Sequence, residues 1–302
     1  MVGTFSFMNF ATQLYHMTLK AFQLALFFIL SGTCFSQLVN WEIDVEPLKQ
    51  TKQVIWLSDL EGDELLEAAT YIRKFSPSFS ITVYPKDSLE TLLKKNDLFL
   101  VFHEKDSITP YFSQHYMTVM RTDGKVDNIY TDKKGAVRRI KDEKRIVALP
   151  ANESQVVGAE QVYYMKSALS LLYFRYNNEE QVNLDKYYNN VHKSFKMERF
   201  RLYADESTAQ VIDSLDFIDL CLPVEILSGP LSKEEVYNRK KYDCLTVRVI
   251  ENNKKGPQKV YYLLMSPISG LVGYQVKAFE AKNSYDFDES TLLDIMDRYC
   301  PN

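Results

Sequence analysis

Glycine is scarce in this chain, with 10 among 302 residues, and the glycines do not cluster. Loops that cradle phosphates and dinucleotides require clustered glycines, so no nucleotide-binding loop is indicated. Basic residues are not in excess either, because 36 Lys and Arg stand against 40 Asp and Glu, a net charge of −4. Since nucleic-acid binding requires a clustered basic surface, we predict no nucleic-acid partner.

Several short catalytic motifs are also missing. The chain has no Gly-x-Ser-x-Gly elbow, no His-Glu-x-x-His pair and no Cys-x-x-Cys pair. These absences argue against a serine-hydrolase elbow, a zincin and a zinc ribbon or thioredoxin-like site. The sequence therefore favours a non-catalytic protein over an enzyme, and it predicts no cofactor.

Cysteine is sparse, and only three of the four cysteines, Cys221, Cys244 and Cys300, follow the N-terminal leader. In an oxidising compartment one disulfide can form among them, but sequence alone does not give the connectivity. The alternative is that they are buried free thiols that pack as small hydrophobic side chains.

Long apolar runs are absent except for ten residues, Ala21–Leu30, near the N-terminus. Lys20 precedes this run, and small residues follow it up to Ser36. This order is typical of a secretory signal peptide cleaved near Ser36. A membrane anchor is the alternative, but a spanning helix needs about 20 apolar residues. We therefore predict a secreted or periplasmic protein with no transmembrane segment in the mature chain.

The leader raises two further alternatives. Residues 1–16 add no positive charge, so either Met1 or Met17 can be the true start. A lipoprotein would carry its lipid on Cys34, but bacterial lipoprotein signals have Leu three residues earlier and Gly or Ala directly before the cysteine. Ser31 and Thr33 occupy these positions here.

After the leader, the pattern predicts two domains, an α/β domain over 37–157 and an α+β domain over 158–302. Apolar strands alternate with amphipathic helices between residues 53 and 105, which favours a three-stranded parallel α/β unit. Its predicted elements are Val54–Leu57, Asp63–Phe75, Phe79–Tyr84, Leu89–Leu93 and Asp97–His103.

After this unit the sequence no longer alternates between single strands and single helices. Short β-like runs begin at Tyr116, and Asp123-Gly124 marks a hairpin turn. Ala159–Tyr176 is the strongest helical pattern, and three alternating runs between Cys244 and Ala278 predict an antiparallel meander. The predicted fold class is therefore α/β plus α+β, a parallel unit followed by antiparallel hairpins and helices.

An acidic loop follows the first predicted strand. Its carboxylates are Asp59, Glu61, Asp63 and Glu64, and clustered carboxylates at a strand end suit divalent cations. The segment Ser58–Asp63 locally resembles the first metal motif of calcineurin-like metallophosphoesterases. That family has Asp-x-His there, whereas Glu61 stands in the histidine position, and the family's later motifs do not occur downstream. The resemblance covers about seven residues and implies a metal site.

The same acidic residues have a structural interpretation, because Asp59 or Asp63 can cap the following helix and acidic side chains favour its first turn. His103 ends the third predicted strand. If the first and third strands are neighbours, Asp59 and His103 lie at the same sheet edge. The candidate metal residues are therefore Asp59, Glu61 and His103.

Tyrosine is abundant, with 20 residues and adjacent pairs at 163–164, 187–188 and 261–262. Exposed aromatic rings on a secreted protein can stack on sugars or contact a protein partner. The sequence therefore predicts a non-catalytic interaction or envelope-associated module. The alternatives are a divalent-metal-dependent hydrolase with an acidic strand-end site and a glycan-binding protein.

Overall fold

Two five-stranded sheets make up the framework of the protein. The computed structural model describes residues 38–76, 78–109, 112–125, 129–131, 137–141, 144–156, 158–178, 201–204, 224–227, 231–239, 243–251 and 258–279. Residues Leu38–Asn302 form one compact unit. The predicted leader, Cys221, Cys300 and His192 lie outside the described residues. The sequence patterns of 184–195, 207–220 and 288–296 also predict helices, and these segments lie outside the described residues as well.

Strands and helices are numbered here in chain order. The strands are β1 Gln53–Ser58, β2 Ser80–Pro85, β3 Asn96–Thr109, β4 Phe112–Asp123, β5 Ile129–Thr131, β6 Val137–Ile140, β7 Arg145–Ala151, β8 Arg201–Ala204, β9 Val224–Ile226, β10 Asp243–Glu251, β11 Gln258–Ser266 and β12 Gly270–Phe279. The α-helices are α1 Glu46–Thr51, α2 Gly62–Phe75, α3 Leu89–Leu93, α4 Glu153–Val156, α5 Gln161–Asn177 and α6 Lys233–Asn238, and a 3₁₀ turn spans Lys86–Ser88.

The first sheet has the strand order β2-β1-β3-β4-β7. Strand β1 pairs in parallel with both β2 and β3, whereas β4 and β7 add to the sheet as antiparallel strands. The parallel α/β unit is therefore confirmed. Strand β3 continues to Thr109, beyond the predicted end at His103, because it pairs with β4 along most of its length.

Strand β1 is buried on both of its faces, as is usual for a central parallel strand. Val54 and Trp56 belong to the larger core with helix α2, whereas Ile55 and Leu57 belong to a smaller core with α3. Helix α2 buries one side through Ala68, Ala69 and Ile72 and leaves its charged side in solvent. The buried residues follow the predicted apolar spacing of this helix, but Leu66, which belongs to the same pattern, is exposed.

The second sheet has the order β12-β11-β10-β8-β9. Strands β10, β11 and β12 form the predicted antiparallel meander. Strand β8 pairs in parallel with both β10 and β9, which the sequence did not predict. Ser232 and Glu235 have the Ser-x-x-Glu spacing of a capping box, and at the start of helix α6 each caps the other's backbone N–H.

Helix α5 is buried around nearly its whole circumference and contacts strands of both sheets. Tyr163 and Tyr164 on this helix are both fully buried. Gly270, which opens β12 at a positive φ of 82°, packs closely on the helix, since a Cβ there would lie 2.6 Å from Oγ of Ser170. One hydrophobic core therefore includes residues from before and after the predicted boundary at 157.

Across the described segments, none of the helices combines the length and the apolar character that a membrane crossing requires.

Candidate functional site

The candidate site lies at the carboxyl end of the parallel strands. Strands β1 and β3 pair with Leu57 opposite Phe102, so the next residues, Ser58 and His103, lie level with each other. Asp59 follows the end of β1, and its Oδ2 is 3.0 Å from Nδ1 of His103. The shared sheet edge predicted for Asp59 and His103 is thus present in the structure, and the two side chains are in direct contact.

A second histidine extends this contact. In the β3–β4 hairpin His103 lies opposite Met117, and His115 is two residues before Met117 in β4, on the same face. Nε2 of His103 is 2.8 Å from Nδ1 of His115. The ring centroids are 5.0 Å apart with 17° between the planes, so the imidazoles meet edge to edge in nearly one plane.

Charged residues lie at both ends of this hydrogen-bonded chain. At one end, Nζ of Lys86 is 2.9 Å from Oδ1 and 3.0 Å from Oδ2 of Asp59. At the other end, Nε2 of His115 faces Oε2 of Glu153 at 3.7 Å, beyond hydrogen-bond length. Glu153 also accepts a hydrogen bond of 3.1 Å from Lys105. The order along the site is Lys86, Asp59, His103, His115, Glu153 and Lys105.

The two histidines are almost inaccessible to solvent, whereas the flanking acids are open. The side chains of His103 and His115 are each 4% exposed, compared with 25% for Asp59 and 61% for Glu153. Burial, followed by the neighbouring His103, lowers the pKa of His115 to about 4. Partial burial acts to raise the pKa of Asp59, but hydrogen bonds from His103 and Lys86 outweigh it and the pKa is lowered. At neutral pH the chain therefore contains an ionised Asp59 and a neutral His115.

The hydrogen-bond network determines the tautomers. An ionised Asp59 only accepts, so Nδ1–H of His103 donates to it. When His103 is in its neutral form, its Nε2 accepts a hydrogen bond and Nδ1–H of His115 donates it. Nε2 of His115 is consequently an acceptor that points at a second acceptor, the carboxylate of Glu153. A hydrogen-bond donor that enters between these two atoms can bond to both.

Neighbouring side chains fix the backbone around the site. Oγ of Ser58 donates to Oε1 of Gln161 at 3.0 Å and accepts from the N–H of Leu60 at 3.0 Å, so its hydroxyl is occupied. Glu104 follows His103 and points to the opposite face of β3. There its carboxylate pairs with Arg145 in a buried ion pair and accepts a 2.8 Å hydrogen bond from Thr118. The strand that holds His103 is thus held from both faces.

The structure separates the predicted metal candidates. Asp59 and His103 are together, but Glu61 is exposed and occupies the N-cap position of α2. In the part of the chain that the structure describes, no group of three His, Cys, Asp or Glu side chains is arranged to hold a metal ion. The interpretation of Asp59 or Asp63 as the helix cap is wrong, because Glu61 is the N-cap residue and Asp59 bonds to His103 and Lys86.

Three members of the site were not predicted. His115 lies in an apolar run, and only the alternation along β4 relative to His103 could have indicated its face. Lys86 follows β2, the other parallel neighbour of β1, so its place at the strand edge could have been inferred from that topology. Glu153 lies in the polar segment Asn152-Glu153-Ser154. Its distance of 38 residues from His115 in the sequence gave no signal.

The tyrosine and cysteine predictions have mixed outcomes. Tyr163 and Tyr164 are fully buried and present no ring to a sugar. The pair 187–188 and the side chain of Tyr262 lie outside the described residues. Cys244 is a buried free thiol, and burial raises its pKa well above the usual range. This agrees with the alternative of thiols that serve as core side chains.

Comparisons with protein-family models, with curated proteins and with solved structures find no match to this chain.

Proposed function

We propose that the protein is an exported hydrolase in which Asp59, His103 and His115 transfer a proton from an attacking water. One observation carries the proposal: a carboxylate and two coplanar imidazoles form a continuous hydrogen-bonded chain that ends in an acceptor nitrogen beside an exposed carboxylate. Orienting a histidine with a buried carboxylate is a recurring way to build a general base. This geometry supports a hydrolase that uses no metal, whereas the sequence-based alternative was a divalent-metal-dependent hydrolase.

The proposed step uses the gap between His115 and Glu153. A water there donates one hydrogen to Nε2 of His115 and the other to Glu153. As its oxygen bonds to the electrophilic atom of the substrate, its proton passes to Nε2 of His115. The Nδ1 proton of His115 moves to Nε2 of His103, whose positive charge Asp59 stabilises. The leaving group departs as the scissile bond breaks and takes a proton by the reverse path, so one water is consumed per bond broken.

Export is the second part of the proposal, and its support is the charge, apolar run and small residues of the leader. Expression of the full chain followed by mass spectrometry of the mature N-terminus tests it. We expect a mature chain that begins near Gln37 and is found outside the cytoplasm. Retention of residues 20–36 in that chain would contradict a cleaved signal peptide.

The hydrolase proposal is tested with a panel of chromogenic carboxylic, phosphoric and glycosidic esters. We expect hydrolysis of at least one class, with a rate that rises as pH increases through about 4, because His115 must be neutral to accept a proton. Asp59→Asn should lower kcat by about 100-fold or more. Asp87→Asn, which changes an exposed carboxylate on the adjacent turn, serves as the matched control and should leave kcat unchanged.

A non-catalytic secreted module is the second candidate function, and the burial of both imidazoles favours it, because only the Glu153 end of the chain is open to solvent. In that case the polar chain is a structural brace between β1, β3 and β4. Absence of turnover on every ester class, together with loss of stability in Asp59→Asn, would favour this second candidate over the hydrolase.

A further inference from the structure

Glu153 lies at the solvent end of the proton-transfer chain, and the register of the sheet places it there. In β4, His115 pairs with Lys105 of β3 on one side and with Ala151 of β7 on the other. Glu153 follows Ala151 by two residues and opens α4. Its carboxylate is exposed and lies 3.7 Å from Nε2 of the buried His115. A substrate that approaches this nitrogen therefore comes next to the carboxylate.

The positive charges of the site are each matched by a carboxylate. Lys86 contacts Asp59 at 2.9 Å, and Lys105 contacts Glu153 at 3.1 Å. The hydrogen bond from Lys105 lowers the pKa of Glu153, so this carboxylate is ionised at neutral pH. Glu153 also has a larger effect on the pKa of His115 than Lys105 has. Of the two charges beside the imidazole, the negative one therefore acts on it more strongly.

A carboxylate beside a general base selects substrates by their charge. An anionic group brought to Nε2 of His115 faces Glu153 at a distance where like charges repel. An uncharged group meets no such repulsion, and a cationic group is attracted. Because Glu153 is exposed, solvent screens the repulsion and limits the expected discrimination to about fivefold to tenfold.

The location of the charge within the substrate matters as well. A phosphate ester carries its negative charge on the group that reacts, so the repulsion from Glu153 falls on the atom that the water must attack. Carboxylic esters and glycosides are uncharged at that atom. We propose that Glu153 determines the specificity of the site and selects carboxylic esters or glycosides without an anionic group over phosphate esters. This inference rests on the proposed hydrolase function.

Substrates that differ only in charge test the selection. One set consists of nitrophenyl esters whose acyl chains end in methyl, trimethylammonium or carboxylate. A second set is nitrophenyl glucoside and nitrophenyl glucuronide, and nitrophenyl phosphate completes the panel. Each kcat/KM is divided by the rate of spontaneous hydrolysis, which removes differences in intrinsic reactivity. We expect the uncharged member of the cleaved set to exceed its anionic counterpart by about fivefold or more at low salt.

Variants of the charged residues give the matched comparison. Glu153→Gln removes the charge and should bring the ratio of uncharged to anionic substrate close to one, whatever its effect on kcat. Lys105→Met leaves Glu153 without its partner and should enlarge the ratio. Glu90→Gln removes an exposed carboxylate on α3 and should keep the wild-type ratio. In 1 M sodium chloride the wild-type ratio should shrink, because the screening length falls to about 3 Å.

The outcomes separate this inference from the hydrolase proposal. If the wild type prefers the anionic ester or nitrophenyl phosphate, and Asp59→Asn abolishes that activity, the hydrolase proposal stands and the specificity assigned to Glu153 is overturned. A ratio that is the same in the wild type and in Glu153→Gln would also overturn it. Absence of turnover on the whole panel would overturn both proposals together.

Discussion

His103 and His115 share a single N–H···N hydrogen bond, 2.8 Å long, between rings that lie nearly in one plane. Such a bond holds one proton, so the protonation of either ring determines the tautomer of the other. The anchoring of His103 by Asp59 thereby extends to His115, and through it to the acceptor that faces Glu153. The following predictions examine this chain and the groups that surround it.

Replacement of Asp59 by Asn removes the charged acceptor of His103 and one partner of Lys86. We expect a loss of about 1–3 kcal/mol in the free energy of unfolding, because hydrogen bonds to charged groups are stronger than neutral ones. Urea denaturation at pH 7 measures the change, with Asp87→Asn as the exposed control. A variant as stable as the control would show that the contact between Asp59 and His103 contributes nothing to folding.

The low pKa of His115 predicts acid sensitivity. Its pKa is about 4 in the folded protein and about 6.5 in the unfolded chain, so between these values the unfolded state binds more protons. Stability from this group is complete above about pH 6.5 and is lost as pH falls towards 4. We expect a loss of about 2 kcal/mol after allowance for screening, measured by urea denaturation at several pH values.

His115→Gln is the matching variant, since glutamine stays neutral throughout this range. Its stability should vary less between pH 6.5 and 4 than that of the wild type. The same slope in both proteins would contradict the assignment of the acid response to His115. The titratable groups that act on this ring are retained in the variant, namely Glu153, Lys105, Lys86 and the neighbouring His103.

The low pKa of Lys166 on α5 predicts how the free energy of unfolding changes at alkaline pH. Its amine is buried and donates to the carbonyl of Phe75 and to Oγ of Ser76, and burial lowers its pKa to about 8 from 10.5. Between these values the unfolded state again binds more protons, so stability should rise with pH over this window. Lys166→Met should remove this rise in denaturation experiments, whereas Lys94→Met, at an exposed lysine, should keep it.

The buried ion pair of Glu104 and Arg145 predicts a large effect of removing one partner. Glu104→Gln leaves the guanidinium of Arg145 buried without its counter-charge, although that side chain also lies 4.9 Å from the Tyr116 ring. We expect a loss of about 3–5 kcal/mol in the free energy of unfolding. Glu90→Gln removes an exposed pair with Lys94 and should cost less than about 1 kcal/mol. If the two variants lost similar amounts of free energy of unfolding, burial would not determine the contribution of the Glu104–Arg145 pair to stability.

Divalent cations test the metal form of the hydrolase hypothesis. Both ring nitrogens of His103 already form hydrogen bonds, to Asp59 and to His115, and Glu61 is exposed at the start of α2. We therefore expect that Mn²⁺, Zn²⁺, Ca²⁺ and Mg²⁺ do not raise the melting temperature. If one of these ions raised the melting temperature of the wild type but not that of Asp59→Asn, the result would support the metal site instead.

The parallel unit was predictable because its signals are local. The apolar run at 54–57 and the helical spacing after Asp63 each identify an element, and short connections between alternating strands and helices favour parallel pairing. From that topology the contact between Asp59 and His103 follows directly, since carboxyl ends of neighbouring parallel strands meet at one edge.

The remainder of the site depends on antiparallel register, which composition does not encode. A shift of one residue between β3 and β4 would place His115 on the opposite face from His103. The role of Glu153 depends on where the chain goes after β7. The parallel pairing of β8 with β10 likewise joins segments more than 40 residues apart in sequence.

Helix α5 lies in a core that includes residues of both sheets, so neither half of the chain carries a complete interior of its own. A fragment that ends at residue 157 would lack the helix that covers β4 and β7. A fragment that begins at 158 would carry that helix without these strands to cover it. The protein should therefore unfold cooperatively, in one calorimetric transition. The two sheets would then form one thermodynamic unit, and neither sheet would fold as an independent module.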